Sequence, residues 1–109
     1  MVTQDIKRGH YSHVEGDGLK DMLRKLFDTE PEDGDEGWIH LRYGALQPLS
    51  VKILSKAELV VETKSAADVS PDVAQDTIRR YNKFLETATG FNSKQRSKRL
   101  QQKAKKGKL

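Results

Sequence analysis

The sequence predicts an α+β fold in the order β-α-β-β-β-α. An antiparallel sheet carries two helices on one face, and a basic extension follows at the C-terminus. Three observations predict this. Apolar residues recur at helical spacing over residues 19–27 and again over 74–88. Between these stretches, from Ile39 to Thr63, apolar and polar residues alternate with a period of two. After Gly90 the apolar pattern stops and cations dominate. The chain has 109 residues, one domain's worth of material. That length suffices to bury about two-thirds of the unfolded surface. We expect a single domain over residues 1–90 and a tail over 91–109.

Gln4 to Val14 reads as extended, with Ile6 as its apolar anchor and Gly9 as a bend. Gly16-Asp17-Gly18 is a turn that offers Asp17 as an N-cap. Leu19, Met22, Leu23, Leu26 and Phe27 then form one apolar stripe on a helix, with Lys20, Asp21, Arg24 and Lys25 on its solvated face. Asp28 to Glu36 carries six acids in nine residues, together with Pro31 and Gly34. Such a block repels itself, and a solvated loop is expected.

Ile39, Leu41 and Tyr43 alternate with Trp38, His40 and Arg42 on the first strand of the central run. Gly44 and Pro48 bracket a loop. Leu49, Val51 and Ile53 make the next strand, and Ser55-Lys56-Ala57 a short hairpin connection. Leu59, Val61 and Thr63 make the third, with Val60 and Glu62 on its other face. Ser70 and Pro71 then mark a helix start, Ser70 as cap and Pro71 at the first helical position. Val69 is placed to staple onto Ala74. Ala74, Ile78, Tyr81, Leu85 and Ala88 supply the stripe, with Phe84 alongside and Gly90 as the stop. The tail from Ser93 to Lys106 has helix-forming composition but only Leu100 and Ala104 as apolar groups. Alone in water such a helix is marginal.

Two helices from opposite ends of the chain can cover one sheet face, leaving the other open or meeting a partner. This topology is analogous to half of a TATA-binding-protein repeat, or to a helix-grip arrangement. Fold-level analogy does not fix function.

Charge is the most informative feature. From Phe91 onward there are eight bases, Lys94, Arg96, Lys98, Arg99, Lys103, Lys105, Lys106 and Lys108, and no acid. The first 90 residues hold twelve bases against all sixteen acids, a net of −4. A mildly acidic body therefore carries a +8 tail. Those eight cations are the expected phosphate contacts, joined by Arg42 on the sheet. The alternative for the tail is a loose association with the chain's own acidic loop, which would compete with phosphate. Trp38 and His40 share a strand face with Arg42, and Lys52 lies on the next strand. They offer a stacking surface for single-stranded bases or, alternatively, an interface between two copies.

The enzyme signals are missing from the sequence. There is no cysteine. No Ser/His/Asp order, nucleophile elbow or glycine-rich phosphate loop is present. His10 and His13 are three apart, which on a strand points them to opposite faces. The acidic stretch fails the calcium-loop pattern, with Asp33 at position 6 and Ile39 at position 12 counted from Asp28. No catalytic residue, metal, cofactor or small-molecule substrate is assigned. No apolar run approaches the ~20 residues that span a bilayer, and the tail lacks the apolar face of a surface helix. A cytoplasmic, non-membrane protein is expected.

Three stretches resemble a family of small uncharacterised archaeal proteins. They are Ile6-Lys7-Arg8-Gly9-His10-Tyr11, the approach to Gly18-Leu19, and Tyr81-Asn82-Lys83-Phe84-Leu85 through Ala88-Thr89-Gly90-Phe91 and Lys94-Gln95-Arg96. The resemblance covers most of the chain and implies an archaeal cytoplasmic protein. It carries over no functional residue. The expectation is a non-enzymatic accessory protein that contacts RNA or DNA non-specifically through the tail. The alternative is a protein-interaction module or homodimer using the open sheet face.

Overall fold

A computed structural model describes residues 2–66 and 68–105, with side chains as far as residue 102. Five antiparallel strands form one sheet. They are β1 (Val2–Asp5), β2 (Glu32–Asp33), β3 (Ile39–Tyr43), β4 (Leu46–Ser55) and β5 (Glu58–Ser65), in the spatial order β1-β5-β4-β3-β2. The helices are α1 (Gly18–Phe27), α2 (Pro71–Thr89) and α3 (Ser93–Lys105).

Alternation in the central strands sets the register. Ile39 stands across from Val51, Val51 across from Val61, and Leu41 across from Leu49. Leu41, Leu49, Val51, Leu59 and Val61 are almost fully buried on one face. Against them pack Leu19, Leu23 and Phe27 of α1 and Phe84, Leu85 and Ala88 of α2. The Phe27 ring lies 6.2 Å from Phe84 and 5.5 Å from Tyr43, the latter edge-on. Each such large side chain contributes about 1.5–3 kcal/mol by leaving water. Ser70 caps α2 by accepting from the Val73 amide at 3.3 Å, with Pro71 in the first turn. Gly90 closes the helix in the left-handed region at φ 78°. Asp17 precedes α1 but makes no side-chain cap bond there.

Five expectations are corrected. The first strand ends at Asp5 rather than running to Val14. Ile6 N–H donates to Ala57 and Lys7 N–H to Thr89, both at 2.7 Å, which draws the chain off the sheet toward the end of α2. Gly9, at φ 83°, makes the bend, and Tyr11–His13 is a short 3-10 turn. His10 and His13 therefore do not diverge; their rings lie 4.5 Å apart.

The acidic stretch is not simply a loop. Glu32 pairs with His40 and Asp33 with Ile39, adding a fifth strand, and Asp35–Gly37 forms a 3-10 turn. Cations of α1 make this tolerable. Lys20 reaches Asp33 at 2.8 Å, and Arg24 forks onto Glu30 at 2.7 and 2.8 Å. These pairs raise the Lys20 and Arg24 pKa values and lower that of Glu30.

The loop between β3 and β4 is only Gly44-Ala45, and Pro48 lies inside β4. The Gln47–Pro48 peptide is cis, and the β4 register shifts on both sides between Leu46 and Leu49. In α2, Thr77 takes the buried place expected for Ile78, which is 59% exposed. The Thr77 hydroxyl is fully employed, accepting from Ala45 N–H at 3.1 Å and donating to the Val73 carbonyl at 2.7 Å. A hydrogen-bonded hydroxyl buries without penalty.

Candidate nucleic-acid interface

Helix α3 begins with a reciprocal cap. The Asn92 side-chain oxygen accepts from Gln95 N–H, and Asn92 N–H donates to the Gln95 side chain, both at 2.9 Å. Two otherwise unpaired donors at the helix start are thereby satisfied. Packing continues past residue 90, since Phe91 is buried.

Arg96 is 6% exposed, with its guanidinium turned inward. It donates to the Phe91 carbonyl at 2.8 Å and to Asn82 at 3.3 Å. Burial pulls its pKa below the usual guanidinium value. One turn on, Arg99 reaches Asp5 of β1 at 3.0 Å and lies 4.1 Å over the Phe91 ring. These two arginines fasten α3 to the body. Arg96 is thereby withdrawn from the expected set of surface cations, and Arg99 is half committed.

Lys94 and Lys98 are exposed and four residues apart, hence neighbours on one side of α3. Lys103 and Lys105 occupy its last turn, beyond the described side chains, and Lys106 and Lys108 lie outside the described residues. Among the described residues, the tail reaches the body at Asn82 and Asp5, while Glu30 and Asp33 of the acidic stretch are taken by α1.

The second surface is the sheet face that carries neither α1 nor α2. His40 stands across from Ser50, and Ser50 across from Glu62. Lys52 stands across from Val60. The His40 Nδ1 and the Ser50 hydroxyl are 2.7 Å apart, which fixes the ring. Gly34 lies against it: a Cβ there would stand 2.3 Å from His40 Nε2, so the imidazole would have to shift to admit one. Trp38 and His40 lie at the β2 end of the face, both half-buried. A depression of about 410 Å³ takes in His40, Arg42, Glu32 and Pro48. A second, of about 250 Å³, takes in His40, Pro48, Ser50, Glu62 and Lys64. Pro48, Ser50 and Lys64 were not among the residues singled out from sequence. The parity of Ser50 was readable, whereas Pro48 was expected in a loop and Lys64 lies past the expected end of its strand at Thr63.

Elsewhere, the paired His10 and His13 line a shallow hollow with Asp21 and Lys25, and His10 Nε2 lies 2.6 Å from the Thr87 carbonyl. Among the described residues, no group of three His, Asp or Glu could hold a metal ion. No helix among them is long and apolar enough to cross a membrane. Neither the curated proteins nor the solved structures compared with this chain contain a match. Residues 1–102, body and most of α3 alike, match the model of the family described as Domain of unknown function (DUF5611), and the chain belongs to that family.

Proposed function

We propose that this chain is a non-enzymatic accessory protein of the archaeal cytoplasm that contacts nucleic acid through α3 and the residues after it. One observation carries this reading. Arg96 and Arg99 anchor α3, so Lys94 and Lys98 are displayed from an ordered helix that contains no acid. Each phosphate neutralised on duplex releases condensed counterions and adds about −0.9 to the slope of log affinity against log salt. Contacts of this kind position a protein without reading bases, so affinity is expected to vary little with sequence.

The test leaves the anchors intact. A Lys94→Glu/Lys98→Glu variant is compared with the parent for retention of tRNA and duplex DNA at about 50 mM salt. The parent is expected to bind and the variant to bind at least roughly tenfold more weakly. A parent that shifts neither nucleic acid would end the reading.

A homodimer through the uncovered sheet face is the competing reading. It is favoured by half-buried Trp38 on the face that carries neither α1 nor α2. It predicts a dimer in light scattering that Trp38→Ala dissolves.

A further inference from the structure

We propose that the uncovered sheet face binds single-stranded nucleic acid, with bases over its centre and phosphates at its rim. This rests on the reading that the chain contacts nucleic acid, but it uses a surface other than α3.

Alternation and register arrange that face in three rows running across β3, β4 and β5. The middle row is His40, Ser50 and Glu62, extended by Glu32 on β2. Two residues along the strands in one direction come Trp38, Lys52 and Val60; in the other, where the β4 register shifts on both sides, Pro48 shares one depression with Arg42 and the next with Lys64. Adjacent rows are about 7 Å apart. Two of the rows contain a flat ring, from Trp38 or His40, and the third contains the puckered Pro48 ring. The rings of Trp38 and His40 have π-faces on which any base can stack. His40 and Pro48 are shared by the two adjoining depressions, the first of which runs on to Thr29, Glu30 and Leu41 at the β2 edge.

The charges are ordered as well. The carboxylates of Glu32 and Glu62 sit at opposite ends of the middle row, where they repel a phosphodiester. They can, however, accept hydrogen bonds from exocyclic base amines. The cations lie in the outer rows. Lys52 passes the Gly37 turn, its Cε 4.0 Å from where a Cβ on Gly37 would stand. Arg42 is exposed at the far rim, and Lys64 lines the second depression. A strand can lay its bases on the rings and its phosphates beside Lys52, or beside Arg42 and Lys64, although Glu36, Glu30 and Glu62 line the same hollows as these cations. A duplex cannot, because its bases are already stacked and its outer phosphates meet the two glutamates.

Trp38 is the chain's single tryptophan, so its emission reports on this face alone. The experiment titrates the full chain with a labelled oligothymidylate and with a labelled hairpin duplex. It follows both the label's anisotropy and Trp38 emission. Single strand is expected to quench Trp38, and duplex to leave it unchanged. His40→Ala should weaken single-strand binding about fivefold or more without altering duplex binding. The saturating quench should persist in Lys94→Glu/Lys98→Glu.

Binding by anisotropy with unchanged Trp38 emission and no preference for single strand overturns the inference and leaves the α3 reading intact. Quenching with undiminished affinity in the charge-reversed variant sustains the inference and removes the α3 reading. No anisotropy change with either ligand overturns both. A stable dimer that shields Trp38 from acrylamide also overturns the inference, because a second copy then occupies the face.

Discussion

Thr77, Arg96 and Asp76 each do something that their residue type conceals. Thr77 joins α2 to the β3–β4 turn, and its hydroxyl is the acceptor for Ala45 N–H. Thr77→Val keeps the volume but leaves that amide without its acceptor. A loss of about 1–3 kcal/mol is expected in urea denaturation. Apolar periodicity selects Ile78 instead, because a hydrophobicity count cannot see that a hydroxyl has partners. Arg96 was counted as a phosphate contact for the same kind of reason, since charge alone does not show where a side chain points. Arg96→Ala should cost about 1–3 kcal/mol, whereas a free surface cation would cost nothing measurable. The Asp76 carboxylate accepts from the Tyr43 hydroxyl and from Arg79 and Arg80. The Tyr43 bond, then Arg79, holds its pKa below the ordinary carboxylate value. A carboxyl depressed by folding stabilises the protein above its unfolded pKa of about 3.9, and that contribution is lost as pH falls through the folded value. Melting temperatures should therefore fall with acidification below about pH 4, and less steeply in Asp76→Asn.

At the scale of elements, what each segment could bury by itself decided how legible it was. The stripe of α1, that of α2 apart from Ile78, the Ser70-Pro71 start and the alternation of β3, β4 and β5 are local patterns, and these are present in the fold. Ser70→Ala is expected to cost about 1 kcal/mol, as for other lost helix caps. Strand β2 and the Tyr11–His13 turn were not legible, because their causes lie elsewhere in the chain. Lys20 and Arg24 neutralise the acids beside β2, and the end of α2 captures Lys7. The tail's helical composition was readable, but its anchoring depends on Asn82 and Asp5, which are distant in sequence. Removal of everything after Gly90 therefore takes away buried Phe91 and Arg96 along with the lysines. That truncation should lower the melting temperature, so charge reversal on the outer side of α3 is the cleaner probe of binding.

Across the whole molecule, charge is separated rather than balanced. The acidic stretch is matched locally by α1, and the lysines on the outer side of α3 have no acid within their own helix. The candidate sheet surface was partly legible. Trp38, His40 and Arg42 follow from alternation, whereas Lys64, Pro48 and Ser50 join them only through strand order. The displayed lysines are expected to meet phosphate. The most direct test is the affinity of the full chain for duplex DNA across a salt series, with and without Lys94→Glu/Lys98→Glu. The expected result is a negative slope of log affinity against log salt that becomes shallower by about 2 units in the variant. A slope near zero in the parent, or one that the charge reversal leaves unchanged, would contradict it.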